Sequence, residues 1–166
     1  MKKTNNLLVL SAGPAGNGRS EYLDEVRSNF SRQGIELGLH SVFSYMQKVG
    51  KQKGVSITRE NVLDLEPAIL DPIRNEAIET IAKKIKDDKK GFHIVSSPIY
   101  REWSGGPKEA LTLSQVRKLD PDIFVVIIDD LIRVREELMK DPQWKGQEFT
   151  LETLATWRLD EIERVM

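Results

Sequence analysis

Cysteine is absent from this 166-residue chain. That excludes a disulfide scaffold, a thiolate metal site and a cysteine nucleophile, and it agrees with a reducing, cytoplasmic compartment. Histidine is nearly absent: His40 and His93 stand 53 residues apart, too sparse for a His-rich metal site. His93 falls inside an apolar stretch and reads as a core or edge histidine, His40 as a loop histidine. No apolar run approaches the roughly 20 residues that span a bilayer, so no membrane partner is expected. An excess of one charge is also missing. Lys and Arg total 25 against 26 Asp and Glu, a net charge of −1, which gives no bulk electrostatic basis for binding nucleic acid or an anionic membrane. Any anion must therefore be held by local geometry.

What remains is a chain with 39% hydrophobic residues, enough for one domain, spanning 1–166, that buries roughly 70% of the surface its unfolded form exposes. The start, MKKTNNLLVLSAGPA, has the outline of a secretory signal, but the apolar core from Leu7 to Leu10 is too short for one. It reads as a first β-strand. From there helix and strand alternate, the pattern of an α/β sheet rather than a bundle or a sandwich.

Leu7 to Ala12 is a continuous apolar strand bounded by Gly13, as for a strand buried on both faces. A helix follows over about 19–33, with Tyr22, Leu23, Val26 and Phe30 on one face and Gly34 as its stop. Ile35 to Leu39 reads as a weak second strand, and Ser41 caps a helix carrying Val42, Met46 and Val49 that ends at Gly50 or Gly54. The longest helix is expected to begin at Pro72 with Asp71 as its cap, in preference to Pro67, because proline is tolerated in the first turn and damaging inside. Its stripe is Ile73, Ala77, Ile78, Ile81 and Ile85. The KKIKDDKK segment that closes it reads as a solvated helix end rather than a phosphate site. Strands follow at Phe92 to Val95 and Ile123 to Ile128. They are joined by a crossover over 96–120 that holds Gly105, Gly106, Pro107 and a short helix over 112–118. A helix over 131–140, a polar turn DPQWKGQ and a helix from Thr150 to the end complete the chain. Leu151, Leu154, Ala155, Leu159, Ile162 and Met166 form the stripe of that last helix.

The strongest local signal lies between the first strand and the first helix. Gly13, Pro14, Ala15, Gly16, Asn17, Gly18, Arg19 and Ser20 fit G-x-x-x-x-G-K-[ST] except that Arg19 replaces the lysine. Glycines let backbone N–H groups wrap a phosphate where no Cβ intrudes. The helix beginning there, with Glu21 in its first turn, points its free N–H groups and positive dipole end at the anion. Ser20 is placed to join a Mg²⁺ shell. Arg19 keeps the positive charge, on a planar fork bulkier than a lysine ammonium. A plain glycine-rich turn is the alternative. Asp129 follows the strand ending at Ile128, where ligands of open α/β sheets gather, and can hold Mg²⁺; either Asp129 or Asp130 can instead cap the next helix. Ser96, Ser97, Tyr100, Arg101 and Trp103 follow another strand end. There Arg101 can pair with a phosphate or stack on a base, or simply decorate the surface.

These elements, the loop GPAGNGRS after LLVLSA, the segment LEPAILDPIRNEAIETIA, the strand HIVSSPI, and KLDPDIFVVIIDD followed by a helix, a short turn and ETLATWR, together resemble archaeal-type adenylate kinases over nearly the whole chain. The resemblance implies a P-loop nucleoside monophosphate kinase fold: a three-layer sandwich on a mostly parallel sheet in the order 2-3-1-4-(5). It implies transfer of the γ-phosphoryl of ATP, with Mg²⁺, to a monophosphate. Gly13 to Ser20 match the ATP loop, and Ser41 to Gly54 match the first helix of the monophosphate region. Arg135 and Arg158 match arginines on the helices entering and leaving the lid, where they would neutralise the transferred group. The chain differs in having Ser96 where the family has Asp, and Gln143, Trp144 and Lys145 in place of an arginine-rich lid. It ends where the fifth strand would begin, so truncation, or completion of the sheet by another copy, is expected. The resulting expectation is an ATP-binding phosphotransferase acting on a nucleoside monophosphate or other small acceptor, with Ser41, Ser96 and Arg101 toward the acceptor. The alternative is a nucleotide-binding regulatory module without transfer.

Overall fold

The computed structural model describes residues 6–88, 91–101, 108–144 and 146–166, with the backbone alone for Tyr100, Arg101 and Lys108. Four strands form one parallel sheet: β1 (Leu7–Ala12), β2 (Leu37–Ser41), β3 (Phe92–Ser96) and β6 (Ile123–Val126). Their order is β2-β3-β1-β6, the first four positions of the expected 2-3-1-4-(5) arrangement. Register places Leu10 beside both Val95 and Phe124, and Ser11 beside Ser96. The architecture is α/β, a four-stranded parallel sheet flanked by helices. No helix among the described residues is long and apolar enough to cross a membrane.

One face of the sheet, carrying Leu8, Leu10, Ala12 and Val95, merges with α2 (Val42–Gln52) and α3 (Pro67–Asp87) into the main core. Val42, Met46 and Val49 supply the α2 stripe, and Ile73, Ala77, Ile78, Ile81 and Ile85 the α3 stripe, both at helical spacing. α1 (Arg19–Arg32) buries Leu23, and its Phe30 ring meets Phe92 edge-on with centroids 5.9 Å apart. Tyr22, expected on its core face, is exposed. Because every strand of this sheet runs the same way, the segments after β1, β2, β3 and β6 all emerge at one edge. A ligand site is expected there.

Several sequence expectations are corrected. α3 starts at Pro67, and Pro72 lies inside it. The carbonyl that Pro72 leaves without an N–H belongs to Ala68, which is exposed and can turn to water, while Leu70 and Ile73 on either side are buried. Asp71, freed from capping, pairs with Arg74 at 3.0 Å. β2 begins two residues later than expected and therefore contains His40, which is buried in the sheet rather than in a loop. Parallel pairing stacks its ring on His93, with His40 Nε2 3.2 Å from His93 Nδ1 and His40 Nδ1 3.2 Å from the Tyr45 hydroxyl. Gly38 is the strand residue that makes room for them, since a Cβ there would collide with the His93 ring. β6 stops at Val126. The crossover holds a short antiparallel hairpin, β4 (Tyr100–Arg101) with β5 (Lys108–Glu109), before α4 (Leu113–Leu119). Trp103, Gly105, Gly106, Pro107 and Lys145 lie outside the described residues.

α5 (Leu131–Lys140), a 3-10 turn η1 (Pro142–Trp144) and α6 (Leu151–Glu163) finish the chain. The face that α6 buries is not the expected stripe. Leu154, Trp157 and Glu161 are inside, while Leu151, Leu159 and Met166 are 44%, 56% and 93% exposed. At 3.6 residues per turn the buried face is rotated by roughly a third of a turn from the aliphatic one. Two aromatics explain the rotation: Trp157 packs on Trp144 and Phe149, with ring centroids 5.5 and 6.4 Å away. α6 therefore does not pack with that stripe beside β6, whose Ile123, Phe124 and Val125 are each more than a third exposed.

Candidate functional site: a glycine loop at the floor of a cleft

The chain leaves β1 at Gly13 and re-enters regular structure at Arg19. Three of its residues have left-handed backbone: Gly13 (φ 143°), Gly16 (φ 75°) and Gly18 (φ 67°). At Gly13 a side chain is excluded by contact as well, since a Cβ would collide with the Asn17 amide and the Ile127 carbonyl. Asn17 is buried. Its Nδ2 donates to the Ile127 carbonyl at 2.5 Å, and its Oδ1 accepts the Arg19 N–H at 3.1 Å, pinning the loop to the end of β6. The N–H groups of Ala15, Gly16, Gly18 and Ser20 meet no acceptor among the described residues. Unpaired loop amides at a helix N-terminus make an anion cradle.

The loop forms the floor of a cleft of about 1060 Å³. Pro14 to Tyr22 line it without a break, joined by Ser41 after β2, Ser96 and Pro98 after β3, and Ile127 to Asp129 after β6. Ser20 and Glu21 are at its exposed rim. Ser41 also does the capping work expected of it, accepting the Ser44 N–H at 3.3 Å. The two aspartates divide their roles. Asp130 caps α5 by accepting from Ile132 and Arg133 N–H at 2.9 and 3.2 Å, whereas Asp129 faces the cleft, 3.6 Å from the Arg133 guanidinium.

Arg19 does not project into solvent. Its Nη1 donates to the Gly13 carbonyl at 2.5 Å and its Nε to Ser96 Oγ at 3.1 Å, so the guanidinium folds back along the loop. Burial lowers its pKa to about 10, opposed by the negative charge of Glu161. Glu161 itself is fully buried and accepts the Gly13 and Ile99 N–H groups on Oε1 at 3.0 and 2.8 Å. The sequence reading missed it, because an acid on an amphipathic helix reads as solvent-facing.

Arg135 is exposed and Arg158 half-buried, and neither lines the cleft. The α5 residues that do are Arg133, Glu137 and Lys140, spaced four and three apart on one face; Arg135, two positions from Arg133, lies almost opposite. The Arg101 side chain lies outside the described residues. The far wall is the polar turn: Asp141, Pro142, Gln143 and Trp144, with Trp157 behind. Arg59, from the segment between α2 and α3, reaches Asp141 across the cleft at 3.5 Å, and Lys140 meets Glu137 at 2.7 Å. In this wall Gln143 Nε2 and Trp144 Nε1 are buried and meet no acceptor among the described residues. Among the described residues no cluster of three His, Asp or Glu could by itself hold a metal.

No protein-family profile matches the chain, and no curated protein matches its sequence. Solved structures do. A chain of the Pnkp1/Rnl/Hen1 RNA repair complex superposes with a TM-score of 0.53 at 13% identity, covering 99% of this chain and 47% of that one. The Thermus thermophilus protein TT1252 superposes with a TM-score of 0.53 at 12% identity, covering 96% of this chain and 84% of that one. The likeness is one of fold. This chain spans about half the length of the RNA repair chain it matches. Both superpositions run over nearly the whole of this chain and show a shared α/β fold.

Proposed function

We propose that the protein binds a nucleoside triphosphate, ATP in the first instance, and transfers its γ-phosphoryl to a nucleoside monophosphate or other small acceptor in the same cleft. The observation that carries this is the loop itself: left-handed glycines at positions 13, 16 and 18 and unpaired amides on the floor of a large cleft, at the start of a 14-residue helix. Those amides and Arg19 would hold the β- and γ-phosphates. Ser20 and Asp129 both line the cleft and fit a Mg²⁺ that takes its remaining ligands from phosphate and water, as one carboxylate and one hydroxyl cannot enclose the ion alone. Bound there, Mg²⁺ would supply charge neutralisation between the β- and γ-phosphates. Ser41 and Ser96, on the neighbouring strand ends, would face the acceptor. Binding and turnover of MgATP against a panel of monophosphates, nucleosides and small alcohols tests the proposal. Phosphorylated acceptor with equimolar ADP is expected, and ATP binding with no product on any acceptor overturns transfer.

A second reading has its own support: a nucleotide-binding regulatory module without transfer. Transfer between highly charged phosphates needs several free cations around the moving group. Yet the four described cations of the cleft, Arg19, Arg59, Arg133 and Lys140, all have partners within the chain, and the two lid-flanking arginines stand away from it.

A further inference from the structure

Glu161 is the only buried acid among the described residues, with no exposed surface. A carboxylate so placed is costly unless its oxygens are satisfied, and Oε1 of this one accepts from two particular amides. Gly13 is the residue at which the chain leaves β1, and Ile99 follows the end of β3. The same Oε1 takes both N–H groups and so joins the two strand ends that flank the loop. Gly13 is then held from both sides: its N–H by Glu161 and its carbonyl by the guanidinium of Arg19, which in turn rests on Ser96. Resting on the nucleotide-binding reading above, we propose that Glu161 is the positioning residue of the phosphate loop: it fixes Gly13, and through Gly13 the place of Arg19 and of the amides that follow. Trp157 lies one turn earlier on the same face of α6 and is packed into the polar turn by Trp144 and Phe149. One turn of α6 thus runs from the cleft's far wall to its floor.

The test uses the full chain and inorganic tripolyphosphate with Mg²⁺, titrated calorimetrically well below each variant's unfolding midpoint, where a purely stabilising role leaves affinity unchanged. Glu161→Met, similar in length but without an acceptor, is expected to weaken binding about tenfold or more, the size of lost hydrogen bonds to a charged group. Glu161→Gln keeps a carbonyl acceptor and should recover affinity to within about threefold of wild type, and Arg19→Met combined with Glu161→Met should fall short of the product of the single effects. Should Glu161→Met not fold, Glu161→Asp, one methylene short of both amides, takes its place with the same expectation. Wild-type affinity in the Met or Asp variant, or independent effects of positions 19 and 161, would overturn the proposal. If wild type binds neither tripolyphosphate nor ATP, the nucleotide-binding reading falls and this inference with it; unaltered binding in the variants defeats this inference alone.

Discussion

The two walls of the cleft are built by different means. The loop wall is tied down by polar groups withdrawn from water: Asn17 bonded to Ile127 and Arg19, Arg19 to Gly13 and Ser96, Glu161 to Gly13 and Ile99. The opposite wall, around η1, is held by an aromatic cluster of Trp144, Phe149 and Trp157 and by exposed ion pairs at Arg59 and Lys140. Directional bonds specify one geometry, whereas edge-to-face rings and exposed ion pairs tolerate sliding. The difference assigns precision to the loop side of the cleft and adjustability to the side around the 3-10 turn.

The largest way to break this contrast is to remove the packing of the adjustable wall. Trp157→Ala takes away a side chain that is 1% exposed and should cost about 3 to 5 kcal/mol in urea unfolding. Protection of the Gly13 amide against exchange should outlast that of Phe149 in the same variant if the walls are separate in kind. Next in size is an acid effect confined to the sheet that supports the loop. Burial and the charges of His93 and Lys84 lower the His40 pKa from 6.5 to about 4, with Asp88 opposing them. The folded protein therefore keeps the ring neutral while the unfolded chain takes up a proton, and stability should fall by roughly 2 to 3 kcal/mol as pH drops from 6.5 toward 4. Chemical denaturation across that range should show the slope in wild type and a flatter one in His40→Gln. On the loop wall Arg19→Ala should weaken ATP by about 1.5 to 3 kcal/mol, with Arg19→Lys retaining binding; calorimetric titration of both variants checks this. The smallest effect is expected at Arg59→Ala, whose exposed partnership with Asp141 should contribute less than about 1 kcal/mol to unfolding and fade in salt.

Legibility in the sequence follows the range over which each feature is encoded. The loop was readable because its determinants lie within eight consecutive residues and glycine spacing is a local signal. The strand order came from resemblance, and the structure agrees with it over four strands. Pro72 was misplaced because a proline's damage depends on whether the carbonyl it strands can reach water, and for Ala68 that is a property of the folded surface. His40 and His93 looked unrelated at 53 residues' separation; a parallel register, which no short window contains, made them neighbours. Glu161 and Tyr22 were missed for a shared reason. Helical periodicity sorts residues into apolar and polar faces, and both break the sorting: a buried acid satisfied by backbone amides, and an exposed aromatic that lines a cleft. Arg133 lines the cleft and Arg135 does not, because a shift of two residues nearly reverses the direction in which a helical side chain points.

The two donors of the far wall that meet no acceptor among the described residues, Gln143 Nε2 and Trp144 Nε1, bear on how long that wall stays shut. Each forgoes a hydrogen bond to water, a loss on the order of 1 to 3 kcal/mol, which offsets part of the aromatic packing that holds the 3-10 turn closed. Such a segment opens more often than the paired strands of the sheet. Its backbone amides should therefore exchange with solvent at low denaturant-independent free energy, with a red shift of tryptophan emission accompanying each opening, while the strands remain closed.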